Sequence, residues 1–453
     1  MMEQMKPSGV DWIGDIPVSW SINRLKFMLA NEEDSLKVGP FGSSLSGTDY
    51  IPEGKWVFNQ RVVLDNNFID NDTCISDEKF QEMKSFSVYP GDILITTRGT
   101  IGKVAIVPQT APQGILHPCI IKFRLNKKLL LPELLKLLFN ETSYAQEQFA
   151  FMNNSTTIDV IYSYSLKDII LPLIPINEQK AIYAFLHKEC AQIDSIAADL
   201  EKQIALLQQY KKSLITEIVT KGLDKSVPMK DSGVEWLGKI PAHWNFKRLK
   251  FMLENSSDSM KVGPFGSALS GSDFTDEGKW VYNQRVVLDN NFSENTTFVS
   301  EEKFQEMRSF AVYPGDILIT TRGTIGKVAI VPEGANEGIL HPCIIKFRVD
   351  KEMIIPELLQ LIFNESDFVK DQFTLMSNAT TIEVIYSYSL KDILLPVIPA
   401  DEQEKIYGYL SKKCITIDGI ISEKQKALAT IIQHKKSLIY EYVTGKKRVK
   451  EEW

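Results

Sequence analysis

The stretch from Val88 to Pro108 reads VYPGDILITTRGTIGKVAIVP, and it returns without a change from Val312 to Pro332. Two apolar runs, Ile93–Ile95 and Val104–Val107, flank the polar TTRGT segment. Short apolar runs on either side of a glycine-containing turn are typical of adjacent strands. The stretch therefore predicts strand, turn and strand, and its two occurrences predict two domains of the same strand-rich type.

Repetition extends outward from this stretch over almost the whole chain. The residues NQRVVLDNNF at 59–68 return unchanged at 283–292, and SGVDWIGDIPVSW at 8–20 returns as SGVEWLGKIPAHW at 232–244. Each copy lies 224 residues after its original. Solenoid repeats have periods of about 20 to 50 residues, so this period indicates a tandem duplication of a whole domain. Each of the two domains then carries the same binding surface, which indicates a partner with two-fold symmetry.

The composition is that of a globular protein, with 44% hydrophobic and 24% charged residues among 453. No apolar run approaches the roughly 20 residues that span a bilayer, so no membrane partner is expected. The net charge of −7 argues mildly against a nucleic-acid partner, although an acidic protein can carry a basic face. Widely spaced cysteines without a CxxC pair favour reduced thiols and a cytoplasmic location: Cys74, Cys119, Cys190, Cys343 and Cys414.

The predicted fold class is α+β. Two strand-rich globular domains are separated by two long helices, which pack as an antiparallel coiled coil and give the chain a pseudo-two-fold organisation. Parallel packing of the two helices stays open as the alternative. The predicted divisions are a first domain at 1–175, a long helix at 176–222, a second domain at 223–399, a second long helix at 400–445 and a solvated basic tail at 446–453.

The long helices are predicted from an apolar stripe with alternating steps of four and three residues. Asn177 and Asp401 are favoured N-cap residues at their starts, and Lys211 and Lys435 interrupt the stripe at equivalent positions. Such a stripe over about four heptads predicts a coiled-coil seam, because neither helix would be stable with its apolar stripe exposed to water. In the first helix it consists of Leu186, Cys190, Ile193, Ala197, Leu200, Ile204, Leu207, Leu214 and Ile218.

Motifs for catalysis or metal binding are missing. The segment from Arg98 to Lys103 lacks the first glycine and the hydroxyl of a phosphate-binding loop, and neither GxGxxG after a strand nor HExxH occurs. The His117-Pro-Cys119 and His341-Pro-Cys343 pairs supply only two ligands each. Their apolar surroundings favour a place in the buried core, so no catalytic residue and no metal site is predicted.

Loops that are retained in both copies carry side chains suited to DNA. Asn and Gln match adenine edges, Arg matches guanine, and Lys, Ser and Thr contact phosphate oxygens. Any one such residue alone is more often structural, since glycine-rich turns and loop asparagines are common. The candidate DNA-binding residues are Lys37, Ser43, Asn59, Gln60, Arg61, Arg98, Thr100, Lys103, Asn154 and Thr156, with Lys261, Ser267, Asn283, Gln284, Arg285, Arg322, Thr324, Lys327, Asn378 and Thr380 in the second copy.

The order of motifs resembles the specificity (S) subunit of type I restriction–modification systems. GPFGS, GDILITTRGTIGKVAIV, a Thr-Thr-Ile stretch, a Pro-x-x-Glu-Gln helix start and a terminal KKSLI helix follow one another in both halves. The resemblance implies two target-recognition domains that each read one half of a split sequence in double-stranded DNA. It also implies a non-catalytic chain without a bound cofactor.

The same resemblance implies the partners of the chain. Two methyltransferase (M) subunits would methylate adenine with S-adenosylmethionine, and restriction (R) subunits would use ATP and Mg for translocation and cleavage. Further apolar positions on the long helices, which are expected to face outward, would dock M: Ile182, Phe185, Ile215 and Val219.

The near-identity of the two copies departs from the usual family pattern of two different recognition domains. The copies differ mainly at Ile69–Ile75 against Ser293–Val299 and at Leu125–Ala150 against Val349–Thr374. If the retained loops read DNA, the target is an interrupted palindrome with two identical inverted half-sites. Two other functions stay open: a coiled-coil scaffold that presents two modules to a symmetric protein assembly, and a self-sufficient enzyme whose site the motifs do not reveal.

Overall fold

The computed structural model describes residues 4–41, 44–152, 160–265, 268–377 and 384–449. Its internal contacts divide the chain into a first unit of residues 1–200 and 426–453 and a second unit of residues 201–425. Each unit thus combines one strand-rich domain with parts of both long helices.

The first unit contains twelve described strands and five described short helices. The strands are β1 Met5–Pro7, β2 Asp15–Pro17, β3 Ser21–Arg24, β4 Leu36–Val38, β5 Lys55–Phe58, β6 Cys74–Ile75, β7 Ser87–Val88, β8 Ile93–Thr96, β9 Val104–Ile106, β10 Gly114–Leu116, β11 Ile120–Phe123 and β12 Ile170–Leu173. The helices are α1 Gln60–Leu64, α2 Asp77–Glu82, α3 Pro132–Glu141, α4 Tyr144–Met152 and α5 Ser163–Lys167, followed by the long helix α6 Ile176–Lys221. Short 3-10 helices occur at Leu25–Phe27, Gly47–Asp49 and Lys84–Phe86.

The second unit repeats this order within the part of the chain that is described. Its strands are β13 Met229–Asp231, β14 Lys239–Pro241, β15 Asn245–Arg248, β16 Met260–Val262, β17 Phe274–Thr275, β18 Lys279–Tyr282, β19 Phe298–Val299, β20 Ala311–Val312, β21 Ile317–Thr320, β22 Val328–Ile330, β23 Gly338–Leu340, β24 Ile344–Phe347 and β25 Leu394–Val397. Its helices are α7 Gln284–Leu288, α8 Glu301–Glu306, α9 Pro356–Glu365, α10 Phe368–Ser377 and α11 Ser387–Lys391, followed by the long helix α12 Ala400–Val443. Its 3-10 helices are Leu249–Phe251, Gly271–Asp273 and Arg308–Phe310.

Two four-stranded sheets form the centre of the first domain, with strand orders β4-β11-β8-β9 and β6-β5-β10-β7. The prediction of strand, turn and strand is confirmed, since β8 pairs antiparallel with β9 and Ile95 lies opposite Val104. The four residues of β8 are all buried because its two faces pack against different apolar clusters. In the second domain the equivalent sheets have the orders β16-β24-β21-β22 and β17-β19-β18-β23-β20.

The two long helices run antiparallel inside the first unit, as predicted. The Phe185 ring of α6 lies 4.7 Å from the Tyr442 ring of α12, and Lys435 Nζ donates hydrogen bonds of 2.8 and 2.9 Å to the carboxylate of Asp194. Residue numbers therefore rise along α6 as they fall along α12. The seam residues Leu186, Cys190, Ile193 and Leu438 are buried there.

Inside the second unit the same two helices are again antiparallel. Lys424 Nζ donates a hydrogen bond of 2.6 Å to Gln203 Oε1, while Lys211 Nζ donates to both carboxylate oxygens of Asp418 at 2.8 and 2.7 Å. Lys211 is the residue that interrupts the apolar stripe. Its side chain is only 10% exposed, and its amino group also lies 2.5 Å from Glu365 Oε2, so two carboxylates balance the charge in the seam.

The starts of the long helices differ slightly from the prediction. Helix α6 begins at Ile176 and α12 at Ala400, so Asn177 and Asp401 lie in the first turn and not at the N-cap. A proline precedes each long helix. In α6 the carbonyl oxygen of this proline, Pro175, accepts a helical hydrogen bond from the amide of Gln179 at 2.9 Å.

A buried glutamine links the start of α6 to the first domain by hydrogen bonds. The Gln179 side chain is 0% exposed; it donates to the carbonyl oxygens of Leu129 at 2.7 Å and Ile174 at 2.8 Å, and it accepts from the amide of Leu131 at 2.8 Å. Gln403 makes the equivalent bonds in the second unit. These bonds pair backbone groups that would otherwise be buried without partners.

The expectation that Ile182, Phe185, Ile215 and Val219 face outward is wrong. Ile182, Ile215 and Val219 are fully buried in the cores of their units, and Phe185 packs on Tyr442. The heptad stripe identifies the seam only, whereas each helix carries a second apolar face that packs against a strand-rich domain.

The described part of the basic tail is partly solvated, because Lys446 and Lys447 are exposed whereas Arg448 and Val449 are half-buried. Lys446 Nζ donates to the carbonyl of Asp15 at 3.1 Å, and Arg448 lies 2.5 Å from Glu178 Oε1 with its guanidinium over the Trp20 ring at 5.6 Å. Arg448 thus covers a tryptophan that is fully buried.

No helix within the described ranges is long and apolar enough to cross a membrane. The five cysteines are free, as predicted.

Candidate DNA interface

Several loops leave one edge of the first domain. Strands β4 and β8 both pair antiparallel with β11, so they run in the same direction and their carboxyl ends lie at the same edge. Strands β5 and β10 pair parallel with each other, and Asn59 and His117 follow their carboxyl ends. We call residues 39–41, 59–61, 97–100 and 117–119 the loop edge of the first unit.

Backbone hydrogen bonds join the four segments of this loop edge. The amide of Thr97 donates to the carbonyl of Cys119 at 3.0 Å, and the Thr97 hydroxyl donates to the same oxygen at 2.9 Å. The amide of Gly39 donates to Ile120 O at 2.9 Å, and that of His117 donates to Phe58 O at 3.2 Å. Retained segments that are distant in sequence therefore form one continuous surface.

The second unit builds the same loop edge from residues 263–265, 283–285, 321–324 and 341–343. The amide of Thr321 donates to Cys343 O at 3.0 Å, that of Gly263 donates to Ile344 O at 2.9 Å, and that of His341 donates to Tyr282 O at 3.2 Å. Both copies of the candidate site are thus formed by the same bonds.

Three predicted DNA-binding residues of the first unit are exposed at the loop edge. Arg98 and Thr100 lie in the loop after β8, and the Arg61 side chain is 76% exposed on helix α1. Gln60 joins the two segments, because its Nε2 donates to the carbonyl of Thr100 at 3.5 Å. In the second unit Arg285, Arg322 and Thr324 are likewise exposed, and Gln284 Nε2 donates to Thr324 O at 3.4 Å.

Asn59 has a structural role that the sequence did not reveal. Its Oδ1 accepts from the amide of Val62 at 3.1 Å and caps helix α1, and its Nδ2 donates to Thr73 Oγ1 at 3.1 Å. Asn283 makes the corresponding bonds at 3.2 and 3.0 Å. Both polar ends of the amide are occupied, so a base contact by Asn59 stays a prediction that would use the remaining lone pair or proton.

The predicted lysines are less exposed than the arginines. Lys37 is half-buried in strand β4, with its amino group 5.4 Å from the Phe86 ring centre, and Lys261 lies 5.0 Å from the Phe310 ring centre. Lys103 is also half-buried; its amino group donates to the carbonyl of Asn140 at the end of α3, and burial lowers its pKa.

Lys327 donates equivalently to Asn364 O at 2.7 Å. Lys103 and Lys327 bind the carbonyl oxygen of a helix end, and Lys37 and Lys261 lie beside aromatic rings, so the fold holds these four side chains more than it holds Arg98. Their role in DNA binding stays a prediction. The other predicted residues lie outside the described residues: Ser43, Asn154, Thr156, Ser267, Asn378 and Thr380.

Acidic residues around Arg61 distinguish the two units. Arg61 Nε lies 3.6 Å from Asp65 Oδ2, and Nη1 lies 3.8 Å from Asp72 Oδ2. Arg285 has the equivalent contact with Asp289 at 3.5 Å, but Thr296 occupies the position of Asp72. The electrostatic surroundings of these arginines therefore differ although the loops themselves are identical.

The His-Pro-Cys segments belong to the loop edge and are half-buried, so the expectation that they lie deep in the core is wrong. His117 Nδ1 accepts a hydrogen bond from the amide of Cys119 at 3.1 Å, and burial lowers the pKa of His117. This bond requires an unprotonated Nδ1, so the histidine orders the loop in its neutral form. Across the described residues, no group of three or more potential metal ligands occurs.

Exposed aromatic residues at or near the loop edge are absent from the predicted set. Phe41 and Phe265 protrude from the GPFG turns, and Tyr162 and Tyr164 stack with ring centres 5.4 Å apart. The signal for Phe41 was present in the sequence, because an aromatic residue between two glycines returns in both copies. Only the structure reveals that the ring has few neighbours.

The loop edge exposes groups that can form hydrogen bonds and attract negative charge. Exposed guanidinium and hydroxyl groups stand beside backbone held in fixed positions, which suits the base edges and phosphates of a nucleic acid. Each unit carries one such surface, so the chain offers two reading surfaces.

The chain is similar to known proteins over most of its length. The chain is 25% identical over 373 residues to the type I restriction enzyme MjaVIII specificity subunit of Methanocaldococcus jannaschii, which covers 81% of each protein. It is 24% identical over 375 residues to the EcoBI specificity subunit of Escherichia coli, over 80% of this chain and 75% of that protein.

The fold is also similar to a solved chain from a study of complex assembly and conformational transition of the type I R-M system. The TM-score is 0.66 at 16% identity, over 95% of this chain and 99% of that one. The profile of the family described as Type I restriction modification DNA specificity domain matches residues 47–206 and 261–429. These two matches cover well over half of the sequence, and the chain therefore belongs to the type I restriction–modification specificity family, whose two domains here serve DNA target recognition.

Proposed function

We propose that this chain directs partner subunits to a bipartite DNA target and performs no chemistry itself. Methyltransferase subunits then methylate adenine with S-adenosylmethionine, and restriction subunits use ATP and Mg to cleave unmodified DNA. The proposal places this complex in the cytoplasm, together with host DNA. The observation that carries it is the loop edge, which the same hydrogen bonds form in each unit and which exposes Arg98 and Arg322.

The two half-sites are proposed to be identical. The segments of the loop edge have the same sequence in both units, and the exposed groups Arg98 and Arg322 have the same position in them. Two identical readers on inverted half-sites recognise an interrupted palindrome, with a spacer set by the separation of the domains.

Methyltransferase subunits are proposed to dock on the long helices at apolar residues other than those predicted from the sequence. These residues are at least one-third exposed, although they lie on helices whose seam is covered: Ile196, Leu206, Tyr210, Ile415, Ile420 and Ile432. The proposal rests on these individual exposures, since apolar side chains left in water are available to a protein partner. Replacing Ile415 by Asp should reduce recovery of a methyltransferase with the tagged chain, whereas Lys412→Asp should have a smaller effect.

Methylation mapping in the host genome tests the proposed function. Adenine methylation at one interrupted palindrome is expected in the parent strain, and its loss is expected when the gene for this chain is deleted. Two unequal half-sites would contradict the proposed identity of the readers. No change in methylation on deletion, together with no binding of the purified complex to host DNA, would support a scaffold without a DNA target.

Variants of the loop edge test which residues read the target. Gln60→Ala should reduce discrimination at one position of one half-site by about 1–3 kcal/mol. Asn59→Asp retains the acceptor that caps α1, but it loses the donor to Thr73 and adds a negative charge, so its thermal stability is measured together with its binding. Arg98→Ala, if the arginine contacts phosphate, should weaken binding to all duplexes and reduce the salt dependence. Lys202→Ala, on an exposed position of α6, serves as the charge control.

A further inference from the structure

A phenylalanine side chain projects from the loop edge of each unit. Phe41 is 78% exposed and Phe265 is 77% exposed, although both belong to segments rich in polar groups. Neither ring belongs to any of the apolar clusters found among the described residues. Folding therefore does not explain why an aromatic residue occupies this position.

The base of the turn that carries Phe41 is fixed. The Gly39 amide donates to Ile120 O at 2.9 Å, and Pro40 is buried. A Cβ atom at Gly39 would lie 2.2 Å from the carbonyl oxygen of His117, so only glycine allows this approach. The ring is consequently presented from an anchored backbone, next to the segments that carry Arg98 and Gln60.

The same arrangement recurs around Phe265. The Gly263 amide donates to Ile344 O at 2.9 Å, and a Cβ atom at Gly263 would lie 2.2 Å from His341 O. Some exposed apolar residues elsewhere are also retained, such as Phe27 and Phe251 on 3-10 helices outside the loop edge, and others are not. Ile69 is almost fully exposed but is serine in the second copy, and the equally prominent Phe151 is replaced by Leu375.

We propose that Phe41 and Phe265 pack against the apolar parts of bases in the DNA target. The inference rests on the proposed function and adds to it an apolar contact that none of the polar candidates can make. DNA presents such surface either as the methyl group of thymine in the major groove or as the face of a base at an unstacked step. Each ring loses its contact with water in either case, so each stabilises the bound complex.

The experiment uses the full-length chain together with the methyltransferase subunits of its host, and a duplex that contains the methylated site found by genome mapping. The Phe41→Ala, Phe265→Ala double variant should bind about 10- to 100-fold more weakly, while the corresponding double Leu variant should bind within about 5-fold of the unmodified chain. Phe27→Ala with Phe251→Ala is the matched control, because these rings are 60% and 62% exposed on 3-10 helices outside the loop edge.

Modified duplexes distinguish the two base surfaces. If the rings contact thymine, replacement of one thymine in each half-site by uracil should weaken the unmodified complex and leave the alanine variant unaffected. If the rings stack on an opened step, 2-aminopurine at that step should change its fluorescence with the unmodified complex and not with the alanine variant.

Equal affinities of the alanine variant and the unmodified complex, with no difference on any modified duplex, would overturn the inference while leaving the proposed function intact. Absence of specific binding by the unmodified complex would instead refute the proposed function. Circular dichroism melting should show that the variants are folded, because the replaced side chains are exposed.

Discussion

Replacement of Lys211 by Met should destabilise the second unit much more than replacement of its neighbour Lys212. Burial opposes the charge of Lys211, but hydrogen bonds to Asp418 and Glu365 outweigh this and raise its pKa. The amino group therefore stays charged at every pH at which the protein is handled. Methionine preserves the apolar stem in the seam and removes only the charge and its three donors.

The expected loss of stability can be worked out from the two carboxylates, which lose their charged partner. Removal of one partner from a fully buried ion pair costs about 3–5 kcal/mol. Here Glu365 and Asp418 are 39% and 54% exposed and can regain water on one side, so we expect roughly half of that cost, about 1.5–2.5 kcal/mol. Lys212 lies 2.9 Å from Asp367, but both side chains are nearly half exposed, and such a pair contributes below about 1 kcal/mol.

Equilibrium urea denaturation of the full chain, followed by circular dichroism and tryptophan fluorescence, measures both effects. Lys435→Met provides an independent repeat, because Lys435 contacts Glu141 and Asp194 in the first unit at 2.7 and 2.8 Å. Equal midpoints for the Lys211 and Lys212 variants would refute the reasoning, since the seam lysine would then contribute no more than a surface lysine.

Three further outcomes are expected from the contacts described above. Burial lowers the pKa of His117, so this histidine is more readily protonated when the chain is unfolded, and its contribution to stability should be constant above about pH 6.5 and decrease as the pH falls below it. His117→Gln should therefore make the loss of stability between pH 7 and 5 in urea denaturation smaller. Gln179→Ala should cost about 2–4 kcal/mol because it leaves three buried backbone groups without partners, whereas the exposed Gln203→Ala should cost little in the same assay. Asp72→Thr should strengthen binding to one half-site about two- to threefold, and Thr296→Asp should weaken binding to the other by a similar factor, in titrations on duplexes with a single intact half-site.

The architecture was predictable from the sequence because its determinants are periodic. The apolar runs around Arg98 predicted β8 and β9, and the heptad stripe predicted a helical seam, which is antiparallel in both units. Periodicity cannot tell how many faces of a helix are covered. Ile182 and Ile215 were therefore assigned to an outer surface, although they complete the cores of the strand-rich domains.

The candidate site was predictable as a set of segments but not as a set of atoms. The segments around Gly39, Asn59 and Arg98 can be identified from the sequence because they are identical in the two copies. The strands before them end at the same edge of the domain. Identity does not reveal which side chains of these segments are free to bind. That depends on hydrogen bonds such as the one from the Val62 amide to Asn59, which no motif records.

The structure offers a way to separate two reasons for the identity of the copies. Asn59 and Gly39 are explained by the fold, because one caps a helix and the other lies against a carbonyl oxygen. Lys103 is explained in the same way by its bond to the end of α3. Arg98 and Phe41 have no such explanation, since both are exposed and an alanine in either place would leave the cores untouched. Retained residues that folding does not require are the ones that a shared ligand would preserve, and both of these belong to the loop edge, where we propose that two identical half-sites are read.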